Sequence, residues 1–374
     1  MTLRLLLDEI RSNIQKTCSK LNYPETKFEV SEASRAEFGD VSCNIAFLLA
    51  KSLKKKPFDI AKIISEEYKK NQGKFVKQST PHPSGYVNFF ANYSELNNAT
   101  LSASVEKNYG MINIGKNSKV VVEHTSVNPN KALHIGHVRN IIIGDAVSRI
   151  LKKAQYDVRI LNYVDDSGLQ VVDIIVGFKC GGFPAEPPKD QKFDHYCGDI
   201  VYVQTTEKYE TDQKLAAYRV EVLKQLEEGT SETAKFANDI TRRVLAEQLK
   251  TCWRIGATYD CLNFESQIVH SNLWKTVFEK MKDMQLIELE KEGKNAGCWV
   301  IKSENEEEDK VLVRSNGIAT YIAKDIPYAA WKLGILEDPF YYTKYAEQAD
   351  NRTLWETVLE KNSNSKLDFT GDKV

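Results

Sequence analysis

The chain has 374 residues, of which 42% are hydrophobic and 28% charged, and a formal net charge of −1. That length accommodates two domains with separate cores, and the composition excludes both a disordered chain and a membrane-embedded one. The near-neutral balance also excludes a uniformly basic surface, so any nucleic-acid contact has to be a local patch; the run "KSLKKK" at Lys51 to Lys56 is short enough to be ordinary solvated surface.

At the N-terminus Leu3, Leu6, Leu7, Ile10 and Ile14 recur at helical spacing, while Asp8 and Glu9 interrupt any signal-peptide core. "EFGDVSCNIAFLLAKSL" predicts a helix capped by Asp40, with Val41, Ile45, Leu48 and Leu49 on its buried face. "PFDIAKIISEEYKK" predicts a second amphipathic helix with proline in its first turn, and "GYVNFFAN" alternates like a strand. Glycine, asparagine and lysine in "KNYGMINIGKNSK" end this periodicity. They set a boundary near Gly115 and define a small α+β domain over 1–115.

Beyond it the pattern becomes strand, loop, helix, strand. "KVVVEH" is a continuous apolar run suited to a buried parallel strand, "GHVRNIIIGDAVSRILKKAQ" carries a helical apolar stripe, and "YDVRILNYV" is the next strand. Such a βαβ unit predicts an α/β domain with a doubly wound parallel sheet over 116–374, with ligands beyond the carboxyl ends of the strands. Glycine- and proline-rich text, a long polar helical stretch to about Gln267 and a shorter mixed piece follow, and together they read as an insertion over about 180–303. The acidic run Glu304 to Asp309 fits a loop between two strands, and "VLVRSNGIATYIAKDIPYAAW" returns a strand that feeds a helix starting close to Asp325.

Seven cysteines, an odd number and without a C-x-x-C pair, fit reduced thiols in a cytoplasmic protein better than a disulfide framework. Cys180, His195 and Cys197 hold part of a metal-ligand pattern, but the four-ligand spacing is absent. No run is long enough to span a bilayer.

The stretch "VVVEHTSVNPNKALHIGHVRN" concentrates polar chemistry where an apolar strand gives way to a helix. His134 and His137 are compatible with a metal pair or with plain surface residues. Their place at a helix N-terminus favours an anion instead, since free amides and the helix dipole point there, and Gly136 lets a base or phosphate approach the backbone.

These residues resemble the signature of class I aminoacyl-tRNA synthetases, and their surroundings resemble the arginyl-tRNA synthetase family. Glu123, Ser126 and Asn128 stand at that family's E-x-x-S-x-N spacing, followed by Lys131 and "HIGH"; Tyr321 and Asp325 in "YIAKD" match its Y-x-x-x-D. "FGDVSCNIAFLLAK" resembles the family's additional N-terminal domain, which contacts the outer corner of tRNA. The resemblance covers nearly the whole chain and is weakest over 180–303.

The resemblance implies a Rossmann-like catalytic domain that activates arginine with ATP and Mg²⁺ and charges tRNA(Arg), acting as a cytoplasmic monomer. A guanidinium is planar and always charged, so carboxylates able to take paired N–H donors suit it; Glu123 and Asp325 are the candidates, with the Tyr321 hydroxyl nearby. Each has a plain alternative: Glu123 as a cap of a neighbouring helix, Asp325 as an N-cap. Ser126 and Asn128 are implied to hold the α-amino end, although asparagine before proline is also a turn residue. His134, Gly136, His137 and Lys131 are implied to hold ATP, with the lysine replacing charge that an incomplete KMSKS loop lacks; a solvated loop lysine is the alternative. In "YVDDSGLQ", Asp165, Asp166 and Gly168 either border the tRNA end or form an acidic turn capping a helix.

The family's substrate-contacting glutamine, KMSKS-like loop and anticodon-binding domain are expected downstream of "FTGDKV", and Gln348 is not assigned that glutamine's role. A chain of this extent is expected to charge tRNA weakly or not at all. Two readings compete: another HIGH-type nucleotidyltransferase, and a synthetase-like module that binds tRNA or protein without catalysis.

Overall fold

The computed structural model describes residues 2–303, 309–315, 320–361 and 367–374, with the side chain of Tyr321 outside the description. The chain separates into two compact units, Met1–Met111 and Ile112–Val374.

The first unit packs helices against a four-stranded antiparallel sheet ordered Val30–Glu32, Val41–Cys43, Val87–Ala91, Val76–Pro81. Leu6, Ile10 and Ile14 of the Thr2–Lys20 helix meet Ile60, Ile64 and Tyr68 of the Pro57–Lys69 helix, which starts on its proline as its sequence predicts. Asp40 departs from expectation. The residues after it form a strand, the next helix starts at Ile45, and Asp40 accepts from the Ala91 amide and the Tyr93 hydroxyl, tying the strand edge instead of capping a helix. Leu48, expected inside, is exposed because the helix is registered by Ile45, Ala46 and Leu49.

The second unit is built on a five-stranded sheet ordered Tyr341–Glu347, Thr353–Val358, Cys261–Phe264, Asp157–Val164, Lys119–Glu123. All neighbours are parallel except the antiparallel pair Tyr341–Glu347 with Thr353–Val358 at one edge. The expected βαβ unit is present as Lys119–Glu123, the Ile135–Lys153 helix and Asp157–Val164. The helix meets the rest of the unit through Ile141, Gly144 and Ser148, and leaves Ile142, Ile143, Val147 and Ile150 exposed.

The span 180–303 contains one strand of the sheet itself, Cys261–Phe264, paired on both sides. Only four residues long and framed by polar text, it offers too few positions for its apolar run to stand out. The long Glu232–Arg254 helix leads into it, packing Leu245, Leu249 and Cys252 with Ile141, Ile160 and Leu262. A separate helical core joins Leu169–Cys180 to Gln213–Glu228, where buried Asp173 takes a two-point bond from Arg219. Strands Trp299–Ile301 and Lys310–Val313 pair antiparallel on either side of the acidic run, whose residues 304–308 lie outside the described residues. The last helix spans Tyr321–Lys332, beginning a turn before Asp325.

Candidate active site

Register fixes which strand ends meet. Leu161 pairs with both Glu123 and Cys261, and Val164 pairs with Phe264, so Asp165, Asp166 and Glu265 emerge side by side at the carboxyl ends of two neighbouring strands. Glu123 ends the adjacent strand a few residues lower.

Burial decides the charge state of this acidic floor. Asp165 is raised well above the ordinary carboxylate range by burial first, then by a hydrogen bond with Glu265 and the charge of that neighbour; the Asn128 amide, 2.8 Å away, partly opposes the rise. Asp166 is also raised by burial, although it accepts from the amide and hydroxyl of Ser266. Two carboxyls that share a hydrogen bond share a proton, so the pair Asp165–Glu265 is held partly neutral. Gly168 follows because a Cβ there would crowd the Asp165 carboxylate, and the turn opens the Leu169–Cys180 helix. Gly168 is the N-cap of that helix, and neither aspartate caps it: Asp165 accepts from Asn128 and Asp166 from Ser266.

Glu123 does not stand open. Its carboxylate pairs with the Lys332 ammonium and accepts from the Ser126 hydroxyl at 3.1 Å. Lys332 is 8% exposed and also lies over the Tyr328 ring, 4.5 Å from its centroid. Asp325, Tyr328 and Lys332 recur at helical spacing on one face of the Tyr321–Lys332 helix. Tyr328 is 5.1 Å from the Tyr163 ring and donates to Asn263. Asp325 is close enough to help raise the Tyr163 phenol, behind burial and the Glu265 and Asp165 charges. One helix face thus brings Asp325 and the Glu123–Lys332 pair to the same strand ends.

The histidine pair forms its own helix cap. His134 is the N-cap; its Nδ1 accepts from the amides of Gly136 at 3.1 Å and His137 at 3.4 Å, and the His134 amide donates to His137 Nδ1 at 3.3 Å. The rings stack with centroids 3.5 Å apart. A ring whose Nδ1 accepts carries its proton on Nε2, so both imidazoles keep a donor to offer elsewhere. Two amides expected to face an anion are therefore engaged by His134. A side chain at 136 would crowd the His134 ring, which is a second reason for the glycine. His137 is pushed down by burial, then by His134 and Lys131, which keeps it neutral.

The loop joining these two ends is held from below. Gln248, 3% exposed on the Glu232–Arg254 helix, donates to the carbonyls of Asn128 at 3.0 Å and Lys131 at 2.8 Å. Buried Asn130 donates to Gln170 at 2.9 Å. Lys131 packs on Gly198 of the π-helical segment Tyr196–Tyr202, where a Cβ would overlap it. Nearby Cys197 is a buried thiol pushed up to about 12 by burial, and His195 bonds Asp199 at 2.9 Å. No three His, Cys, Asp or Glu residues converge on a metal position among the described residues. Gln348 is buried, with its amide closing on both backbone atoms of Tyr259.

Sequence reasoning missed Lys332, Gln248 and Glu265. Lys332 lies two turns along the helix face from Asp325, a readable signal; Glu265 would have followed from recognising "CLNF" as a strand. Gln248 carries no sequence signal.

A parallel sheet with a HIGH-bearing helix start beyond its strand ends has the form of a class I aminoacyl-tRNA synthetase catalytic domain. Residues 100–342 match the family described as "tRNA synthetases class I (R), catalytic domain", and residues 8–91 match "Arginyl tRNA synthetase N terminal domain". Arginine--tRNA ligase of Thermococcus sibiricus is 33% identical over 346 residues, covering 88% of this chain and 53% of its own length; that of Pyrococcus furiosus is 33% identical over 363 residues, covering 91% and 57%. The arginyl-tRNA synthetase structure from Thermus thermophilus superposes with a TM-score of 0.72 at 32% identity, covering 95% of this chain and 57% of that one. The chain belongs to the class I arginyl-tRNA synthetase family. It spans about half the length of the curated relatives it matches. No helix among the described residues is long and apolar enough to cross a membrane.

Proposed function

We propose that the second unit carries the arginine-activating site of an arginine–tRNA ligase, and that the first unit, Met1–Met111, contacts tRNA(Arg). The observation that carries this reading is the convergence of Glu123, Ser126, Asn128 and the Asp325 helix face on the strand ends next to the His134–His137 cap. An arginine carboxylate oxygen attacks the α-phosphorus of ATP, and pyrophosphate leaves. A ribose hydroxyl of the terminal tRNA adenosine then attacks the arginyl carbonyl, and AMP leaves.

Such chemistry asks the protein for positioning and charge stabilisation. Asp325 and Glu123 receive the guanidinium, with the Tyr321 hydroxyl as a third group. Because Lys332 already balances Glu123, that carboxylate contributes lone pairs and orientation, and Asp325 contributes charge. Ser126 and Asn128 hold the α-amino end. The Nε2–H groups of His134 and His137 donate to phosphate oxygens, Gly136 leaves room for the nucleotide, and Lys131 follows the phosphates as a mobile point charge. Mg²⁺ would accompany ATP, held mainly by phosphates and water. Asp165, Asp166 and Gly168 border the tRNA end. The site of action is the cytoplasm, in keeping with seven unpaired cysteines, and the working unit is a monomer.

The test follows AMP and adenylate production by the chain supplied with ATP, Mg²⁺, arginine and tRNA(Arg). Lys131→Ala is expected to slow adenylate formation about ten- to thousandfold, the loss of one transition-state charge contact at ~1.5–4 kcal/mol, with arginine affinity unchanged. Loss of affinity at an unchanged saturated rate would assign Lys131 to the amino-acid pocket. Tight binding of tRNA(Arg) without any adenylate would favour the non-catalytic module.

A further inference from the structure

The strand ending at Glu123 leaves the sheet through a contorted turn. Thr125 and Ser126 both adopt left-handed backbone, with φ of +80° and +45°, a conformation unfavourable for any L-residue and worst for a β-branched one. Strain of this kind persists only where the surroundings enforce it. Here the enforcement is visible. The Thr125 hydroxyl lies 2.6 Å from the Tyr259 hydroxyl and 3.0 Å from His124 Nδ1.

Tyr259 makes a fixed post. It is fully buried, and the Gln348 side chain bonds its backbone amide at 3.0 Å and its carbonyl at 2.7 Å. His124 is the wedge. It is 8% exposed, its ring lies 5.0 Å from that of Tyr259, and it fills the space left at Gly144, where a Cβ would overlap the imidazole. Burial lowers its pKa and keeps the ring neutral, so its contact with the threonine is an ordinary hydrogen bond. On the other side of the turn the Ser126 amide donates to Asn162 and its hydroxyl to Glu123, with Asn128 next in line.

We propose that the Tyr259–Thr125 hydroxyl bridge, wedged by His124, is a positioning device that holds the 125–126 turn left-handed and thereby aims Glu123, Ser126 and Asn128 at the amino-acid substrate. The inference rests on the reading that those three residues receive arginine. Tyr259, Thr125 and His124 touch no substrate in this account; they act through the turn.

The experiment combines hydrogen exchange over residues 124–131 with calorimetric titration of L-arginine, on the whole chain and its variants Tyr259→Phe, Thr125→Val, Thr125→Gly and Thr125→Ser. Exchange reads whether the turn is held, and affinity reads whether holding it matters to the ligand. Tyr259→Phe and Thr125→Val should each speed exchange in this segment and weaken arginine by about tenfold, the scale of one lost hydrogen bond. Thr125→Gly, which accepts the backbone angle but lacks the hydroxyl, should weaken it similarly. Thr125→Ser should stay within about twofold of the parent chain, a rescue that a purely packing role would not give. Unchanged exchange in both Tyr259→Phe and Thr125→Val overturns the proposal, as does faster exchange with unchanged arginine affinity. A parent chain that binds no arginine refutes the functional reading instead, and exchange alone then decides whether the bridge holds the turn.

Discussion

At the His134–His137 end of the site, an exposed His134 and a partly buried His137 cap a helix start and satisfy one another, whereas at the Asp165–Glu265 end carboxyls crowd into a half-buried floor where they share a proton. The two ends respond to pH in opposite ways. His137 stays neutral in the fold while its unfolded counterpart takes a proton below about 6.5, so it lowers stability as pH falls through that value. Asp165 keeps its proton in the fold while its unfolded counterpart gives it up near 3.8, so it lowers stability as pH rises from there toward neutrality. Imidazoles that satisfy a helix start can sit near the surface, whereas carboxyls gathered under burial repel one another, and that repulsion is a standing cost.

The largest expected effect sharpens this contrast at the buried end. Lys332→Met strands the Glu123 carboxylate and should cost about 3 kcal/mol in urea denaturation, while adding Glu123→Gln should recover most of it, because a broken buried pair is worse than none. A double variant no more stable than the single one would show that Lys332 acts by packing. Gln248→Ala comes next: it leaves the Asn128 and Lys131 carbonyls without their shared donor, with an expected loss of about 1–3 kcal/mol.

Asp165→Asn should remove the contribution that falls as pH rises from about 4 toward neutrality, and His137→Asn the one that falls as pH drops below about 6.5. In the shared window the two variants therefore change the slope of stability against pH in opposite directions. Denaturant midpoints across that range separate the two, and a common response would mean that the ends titrate as one network. The smallest effect belongs to the exposed cap. His134→Ala should cost about 1 kcal/mol and His134→Asn far less, since asparagine is itself an N-cap residue.

The exposed end was the more legible in sequence, and the reason is physical. A helix start, its glycine and its two histidines are local in the chain, as are the two flanking strands of five and eight residues. The buried end is assembled from residues far apart. Glu123 meets Lys332, Asp165 meets Glu265, and the loop carbonyls meet Gln248, and no local periodicity announces such pairs. The strand Cys261–Phe264 was hidden for a related reason: a four-residue strand buried on both faces shows no alternation, so its text merged with the polar helices before it. Asp40 was misread because aspartate before an apolar run suits a cap and a strand edge equally well.

The central claim is that Asp325 and Glu123 form a receptor for a guanidinium. Calorimetric titration of L-arginine against L-citrulline, which has nearly the same shape without the charge, tests it most directly. Arginine should bind about ten- to hundredfold more tightly, the value of one or two charge-assisted hydrogen bonds, and Asp325→Asn should close most of that gap. Equal affinities for arginine and citrulline in the unmodified chain would contradict the account.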